Sequence, residues 1–170
     1  MNTSSTPVIP WQETIFTTLK QGGVKQVAYV PDAGHAHVIR RVQADPDMRD
    51  IVLTTEEEGV ALAAGAWLGG QRGALLMQSS GVGNCINLLS LARTCRFPLL
   101  MVVTMRGQWG ERNPWQVPMG SITKAVLEQA GLLVFEVTEA DRVAETVSAA
   151  AAMAFTGPAA VAVLIGQRVR

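Results

Sequence analysis

Three consecutive carboxylates, Glu56, Glu57 and Glu58, stand where the apolar run Ile51-Val52-Leu53 gives way to Gly59-Val60-Ala61-Leu62-Ala63-Ala64-Gly65-Ala66. Two kinds of chemistry suit acidic side chains at such a junction. They can start a helix: Thr55-x-x-Glu58 has the spacing of a capping box, and acidic residues in a first turn favour the helix dipole. A carboxyl group can instead be buried against a ligand and move a proton. Glu58 fits the first role. Glu56 fits the second better, because at the junction its side chain can point over a sheet edge. The small residues that follow let a backbone or a flat ligand come close.

Other segments carry chemistry of their own. Ser79-Ser80-Gly81-Val82-Gly83-Asn84 reads as a glycine-rich turn from strand to helix, which would expose backbone amides at a helix start. It lacks the Gly-Lys-Ser/Thr of a phosphate loop, and Ile86 stands where a dinucleotide fingerprint needs a third glycine. A tight turn without a ligand explains it equally well. His35 and His37 flank Ala36 after Val30-Pro31-Asp32; they either cap a helix or line a ligand face, and with one residue between them they make no metal site. Arg106 and Arg112 could pair with an anionic substrate group or be ordinary surface or interface arginines. Trp109 and Trp115 read as anchors into a partner.

The elements that must position these residues follow from the hydrophobic pattern. Strands are expected at 24–31, 51–55, 74–79, 99–104, 132–137 and 160–165, as continuous apolar runs buried on both faces. Helices are expected at 11–21, 35–44, 56–69, 84–95, 121–130 and 140–155, each ended by a Gly or Pro signal. This alternation predicts one α/β domain over 1–170, a three-layer fold with a mostly parallel sheet and helices on both faces; 1–10 is expected to be flexible. Ligands of such sheets bind at the carboxyl ends of the strands, which directs attention to loops 31–37, 54–58, 79–84 and 105–120. The last is long for a connection, and loops of that length are usually functional or interfacial.

Composition sets outer limits. A net charge of zero supplies no basic field for nucleic acid or an acidic membrane. An apolar fraction of 48% with 16% charged residues suggests either a partner that hides surface or a well-covered sheet. No apolar run reaches membrane-spanning length, and residues 1–10 lack a signal core, so a cytoplasmic location is expected. Cys85 and Cys95 are expected to be buried, reduced and at opposite ends of the 84–95 helix, too far apart for a disulfide. With two histidines and no Cys-x-x-Cys, no structural zinc site is expected.

Taken together, these segments resemble the pyrimidine-binding (PYR) domain of thiamine-diphosphate-dependent enzymes, from about Trp11 to Ile165. In that family the cofactor-activating glutamate precedes a helix glycine by nine positions, as Glu56 precedes Gly65. The resemblance therefore implies that Glu56 contacts the cofactor's N1′ and drives the aminopyrimidine to its imino form. A carboxyl kept in an apolar, water-poor site suits that task. The resemblance also implies that Ser80, Gly81, Gly83 and Asn84 pack against the pyrimidine. Met77-Gln78-Ser79-Ser80-Gly81-Val82-Gly83-Asn84 and Asn113-Pro114-Trp115-Gln116-Val117-Pro118-Met119-Gly120 are similar to the sulfopyruvate and phosphonopyruvate decarboxylases of the family. This narrower likeness implies a small 2-oxo acid substrate, with His35, His37 and Arg106 as candidates to meet its anionic group. The family holds its diphosphate through Mg²⁺ with a Gly-Asp-Gly…Asn motif, and this sequence contains no Gly-Asp-Gly. The resemblance thus implies a hetero-oligomer whose pyrophosphate-binding (PP, beta) subunit holds Mg²⁺. A non-catalytic binding or regulatory subunit of the same fold is the alternative.

Overall fold

A computed structural model describes residues 10–169. The chain order is α1 (Trp11–Gln21), β1 (Val24–Tyr29), α2 (Ala36–Gln43), β2 (Arg49–Val52), α3 (Glu57–Leu68), β3 (Arg72–Gln78), α4 (Ser79–Cys85), α5 (Ser90–Cys95), β4 (Leu99–Thr104), α6 (Val117–Gln129), β5 (Leu133–Val137), α7 (Val143–Thr156) and β6 (Ala160–Ile165). Every strand pair is parallel, in the order β2-β1-β3-β4-β6-β5. The expected three-layer α/β architecture is therefore present. The expectation of flexibility for 1–10 falls, apart from Pro10, outside the described residues.

Side chains alternate between two cores. One joins Val27, Leu76, Leu100, Val102 and Val163 to α1, α2 and α7. The other joins Leu75, Met77, Met101, Val103 and Leu164 to α3, α4, α5 and α6. Strands β4 and β6 are buried along nearly their whole length, as a strand covered on both faces must be. The edge strands β2 and β5 depart from that expectation: most of their residues are exposed or half-buried, because each has a neighbour on one side only.

Two local expectations are corrected. The helix expected at 84–95 is two short helices, and the glycine-rich turn before it is itself helical as α4. The chain keeps winding through 86–89, but its bonds tighten to i→i+3 at Ser90, Leu91 and Ala92, which ends one helix and starts the next. Cys85 and Cys95 thus close successive helices; both thiols are free, and Cys95 is exposed rather than buried. The sixteen-residue loop is also shorter than expected. A 3-10 turn at Pro114–Gln116 runs directly into α6, whose first turn accepts Pro118 because no intrahelical donor is needed there.

Gly120 explains how α6 closes over the end of β4. A Cβ there would lie 2.0 Å from the Arg106 carbonyl oxygen, so the helix can approach that backbone only with glycine. Gly120→Ala is expected to lower stability by about 1–3 kcal/mol through overpacking. A urea-denaturation midpoint unchanged from the wild type would show that the contact yields.

Candidate active site

Glu56 occupies the last position before α3, with φ −64° and ψ −31°, and is 7% exposed. Its neighbours diverge from it. Glu58 turns back so that Oε2 accepts the Thr54 amide at 2.8 Å, while Glu57 accepts the Thr55 hydroxyl. That hydroxyl, followed by Glu57's own backbone amide, holds the Glu57 carboxyl below its ordinary range. The expected capping box is thus half formed: Glu58 reaches back, but to Thr54, and the Thr55 side chain is used by Glu57.

Glu56 instead reaches across the end of β1, which lies between β2 and β3, to the helix that follows β3. The Asn84 Nδ2 donates to Glu56 Oε2 at 2.7 Å. A Cβ on Gly81 would stand 2.4 Å from Oε1 and 2.5 Å from Cδ, so the carboxyl group rests on bare backbone. Gly81 and Gly83 are absent from the left-handed residues, hence their value is space rather than conformational freedom. Gly83 faces another way, with Met119 Sδ 3.2 Å from where its Cβ would be, and Ser80 is half-buried on the same short helix. Ser79 anchors that helix, its Oγ accepting the Arg106 amide at 3.0 Å. Burial, reinforced by the Glu56 and Glu57 carboxylates, pushes the adjacent Cys85 thiol up to about 12.

The residues expected to meet an anionic group lie elsewhere. His35 is fully buried in the α1/α2/α7 layer. Its Nε2 is 3.0 Å from the Val102 carbonyl; a carbonyl only accepts, so Nε2 carries the proton. Burial lowers the His35 pKa and keeps the ring neutral. His37 Nε2 sits 2.7 Å from Glu13 Oε2, which also accepts from Arg41 at 2.9 Å, so this trio joins α1 to α2. Arg106 forms a two-pronged pair with Glu111, Nε–Oε2 at 2.9 Å and Nη2–Oε1 at 2.8 Å. None of the three presents an unpaired positive charge.

Glu111 and Gln167 escaped sequence reasoning. Glu111 also accepts the amides of Gly107 and Asn113 and the Gln167 side-chain amide. Gln167 Oε1 in turn accepts the amides of Gln108 and Trp109. Arg168 stacks on Trp109, 3.6 Å from the ring centre. Glu111 stands five residues after Arg106, a local signal that was available; Gln167 arrives from the far end of the chain and has none. Beside this loop, Trp115 is 66% exposed, and Ile86, Val117 and Ile122 are exposed as well. Helices α4 and α6, which pack on each other, thus carry uncovered apolar side chains near their contact.

An aminopyrimidine ring fits these residues. The buried carboxyl has one oxygen fixed by Asn84, no cation paired with it among the described residues, and a second oxygen that rests on the bare backbone of Gly81. Residues 11–130 match the family described as thiamine pyrophosphate enzyme, N-terminal TPP binding domain. The chain belongs to that family. It is 34% identical to the sulfopyruvate decarboxylase subunit alpha of Methanococcus maripaludis over 90% of this chain and 92% of that one. The counterpart from Methanothermobacter thermautotrophicus is 40% identical over 68% of this chain and 70% of its own. The phosphonopyruvate decarboxylase of Streptomyces viridochromogenes is 44% identical over 62% of this chain, a match that spans 27% of that longer protein. Among solved structures, 2-oxoglutarate:ferredoxin oxidoreductase from Magnetococcus marinus superposes with a TM-score of 0.73 at 14% identity. It covers 93% of this chain and 29% of the other, and shows the shared fold. Among the described residues, no helix is long and apolar enough to cross a membrane.

Two outcomes are expected. Arg106 above all, then the backbone amide of Asn113, holds the Glu111 carboxyl well below the ordinary carboxylate range. A depressed folded value means the stabilisation is present above about pH 4.3 and is lost as pH falls toward that lower value. Glu111→Gln should therefore be less stable at neutral pH and flatter in its acid denaturation; parallel wild-type and variant curves would refute the brace. Native protein should take up iodoacetamide at Cys95 alone near pH 8, with Cys85 reacting only after denaturation.

Proposed function

We propose that this chain is the alpha subunit of a thiamine-diphosphate-dependent 2-oxo acid decarboxylase that converts sulfopyruvate to sulfoacetaldehyde and CO₂. The observation that carries the reading is the buried Glu56 carboxyl, seated on Gly81 and held by Asn84. Near full-length similarity to a sulfopyruvate decarboxylase alpha subunit supports the substrate. Bound thiamine diphosphate supplies the electron sink that lets CO₂ leave a 2-oxo acid.

This chain's residues prepare that cofactor. Glu56 would hold the aminopyrimidine at its ring nitrogen N1′ and hold or return a proton at its carboxyl group. Gly81 leaves room for that carboxyl, Asn84 holds it, and the half-buried Ser80 on the same short helix is the candidate to pack against the ring. The apolar surface of Ile86, Trp115, Val117 and Ile122 docks against a PP (beta) subunit and keeps water from the site. That subunit would hold the diphosphate and Mg²⁺; the Gly-Asp-Gly sequence does not occur here. Arg106, His35 and His37 support this architecture through Glu111, Val102 and Glu13, so the substrate's anionic group is met by other donors, with the exposed Arg112 and the partner's surface as sources.

The 44% identity to a phosphonopyruvate decarboxylase favours a second reading in which the acid group is a phosphonate. Rates on sulfopyruvate, phosphonopyruvate and pyruvate separate the two. In the complex reconstituted with its PP subunit, Glu56→Gln and Glu56→Ala should lower turnover at least about 100-fold without impairing assembly. Full turnover by Glu56→Ala would sink the assignment. Failure of any PP partner to confer thiamine diphosphate binding would point to a non-catalytic subunit.

A further inference from the structure

Among the described residues, the Glu56 carboxyl has one side-chain hydrogen-bond partner, the Asn84 amide on Oε2. Oε1 has none, yet it is not among the buried polar atoms sealed without a partner, so it keeps an opening to the surface. The two oxygens are therefore unequal. One is tied to α4, and the other is available to a ligand.

We infer that Asn84 is a positioning residue that acts on the cofactor through Glu56, fixing Oε2 so that Oε1 is the oxygen presented to N1′. The inference rests on the proposed role of Glu56 and assigns Asn84 a task distinct from ring contact. The choice of an amide has a chemical reason. A carboxylate only accepts, so it requires Nδ2; a protonated carboxyl can donate its O–H, and the same amide turned over offers Oδ1. Asparagine thus holds the group in both states, whereas a lysine or arginine would favour the charged state alone. A neutral partner also leaves the carboxyl free to exchange its proton with the ring. Gly81 completes the arrangement from below, because a side chain there would lift the carboxyl away from Asn84.

The test uses the complex reconstituted with its PP subunit and compares Asn84→Ala, Asn84→Asp, Asn84→Ser and Glu56→Gln. Three quantities are read: affinity for thiamine diphosphate, the rate at which the C2 hydrogen of the bound cofactor exchanges with deuterium, and the Glu56 carboxylate infrared band without cofactor. The band is isolated by subtracting the Glu56→Gln spectrum. Asn84→Ala should bind the cofactor within about threefold of wild type while C2 exchange slows about 10- to 100-fold, the range for one hydrogen bond to a charged group. Its carboxylate band should shift. Asn84→Asp, nearly the same shape but a donor only while it holds a proton for which Glu56 competes, should be slowed at least as much; Asn84→Ser, which retains a donor, should recover part of the rate. Where the alanine variant fails to assemble, the isosteric aspartate decides.

Wild-type exchange in both the alanine and aspartate variants would overturn the inference. So would a fall in cofactor affinity as large as the fall in exchange, which would make Asn84 a direct ring contact. Glu56→Gln separates the two levels. If it exchanges C2 at the wild-type rate, the cofactor-activating role of Glu56 and the positioning role fall together; if it is slow while the Asn84 variants are normal, only the positioning role falls.

Discussion

The close approach of α3, α4 and α6 to the backbone and side chains beneath them at the carboxyl end of the sheet is the constraint on which the rest of this structure depends. Each approach is made at a glycine. Gly59 lets α3 settle onto Leu75, where a Cβ would stand 2.3 Å from a methyl group. Gly81 receives the Glu56 carboxyl, and Gly120 receives the Arg106 carbonyl. Close packing leaves no slack for a methyl group at such points without displacing a neighbour. With these three contacts in place, a carboxyl that begins at the end of β2 can reach a helix that begins at the end of β3.

The loop after β4 meets the segment after β6 at this edge. Glu111 gathers donors from Arg106, Gly107, Asn113 and Gln167, so one carboxylate closes the loop on itself and ties it to the segment after β6. The loop is tied in turn to α4, through the Arg106 amide and Ser79. A ligand-facing edge built of separate loops is thereby held as one piece, the condition for presenting functional groups at fixed positions. Trp115, Val117 and Ile122 remain exposed on the chain that follows this loop.

Much of this was legible in the chain. Continuous apolar runs such as Leu99-Leu100-Met101-Val102-Val103 require burial on both faces, and their alternation with helical stretches leads to a parallel sheet. The position of Glu56 at the strand–helix junction, four residues after the last residue of β2, already set it apart from Glu58. The glycine-rich stretch was harder to read. Glycine suits both a turn and a close approach, and sequence does not distinguish a residue needed for φ from one needed for space. Likewise, an arginine in a loop looks the same whether its partner is a substrate or a glutamate five residues away.

By itself, then, the sequence determined the parallel three-layer fold, the placement of Glu56 at a carboxyl edge, and the absence of a Gly-Asp-Gly run. These follow from local pattern and composition, which each segment carries with it. Only the tertiary structure decided that Asn84 holds Glu56, that Gly81 is its floor, that His35 and His37 are turned to other partners, and that Gln167 clasps a loop about sixty residues away. The reason is physical: hydrogen-bond partners and steric clearances are properties of distances between segments, and those distances exist only once the sheet has brought the segments together.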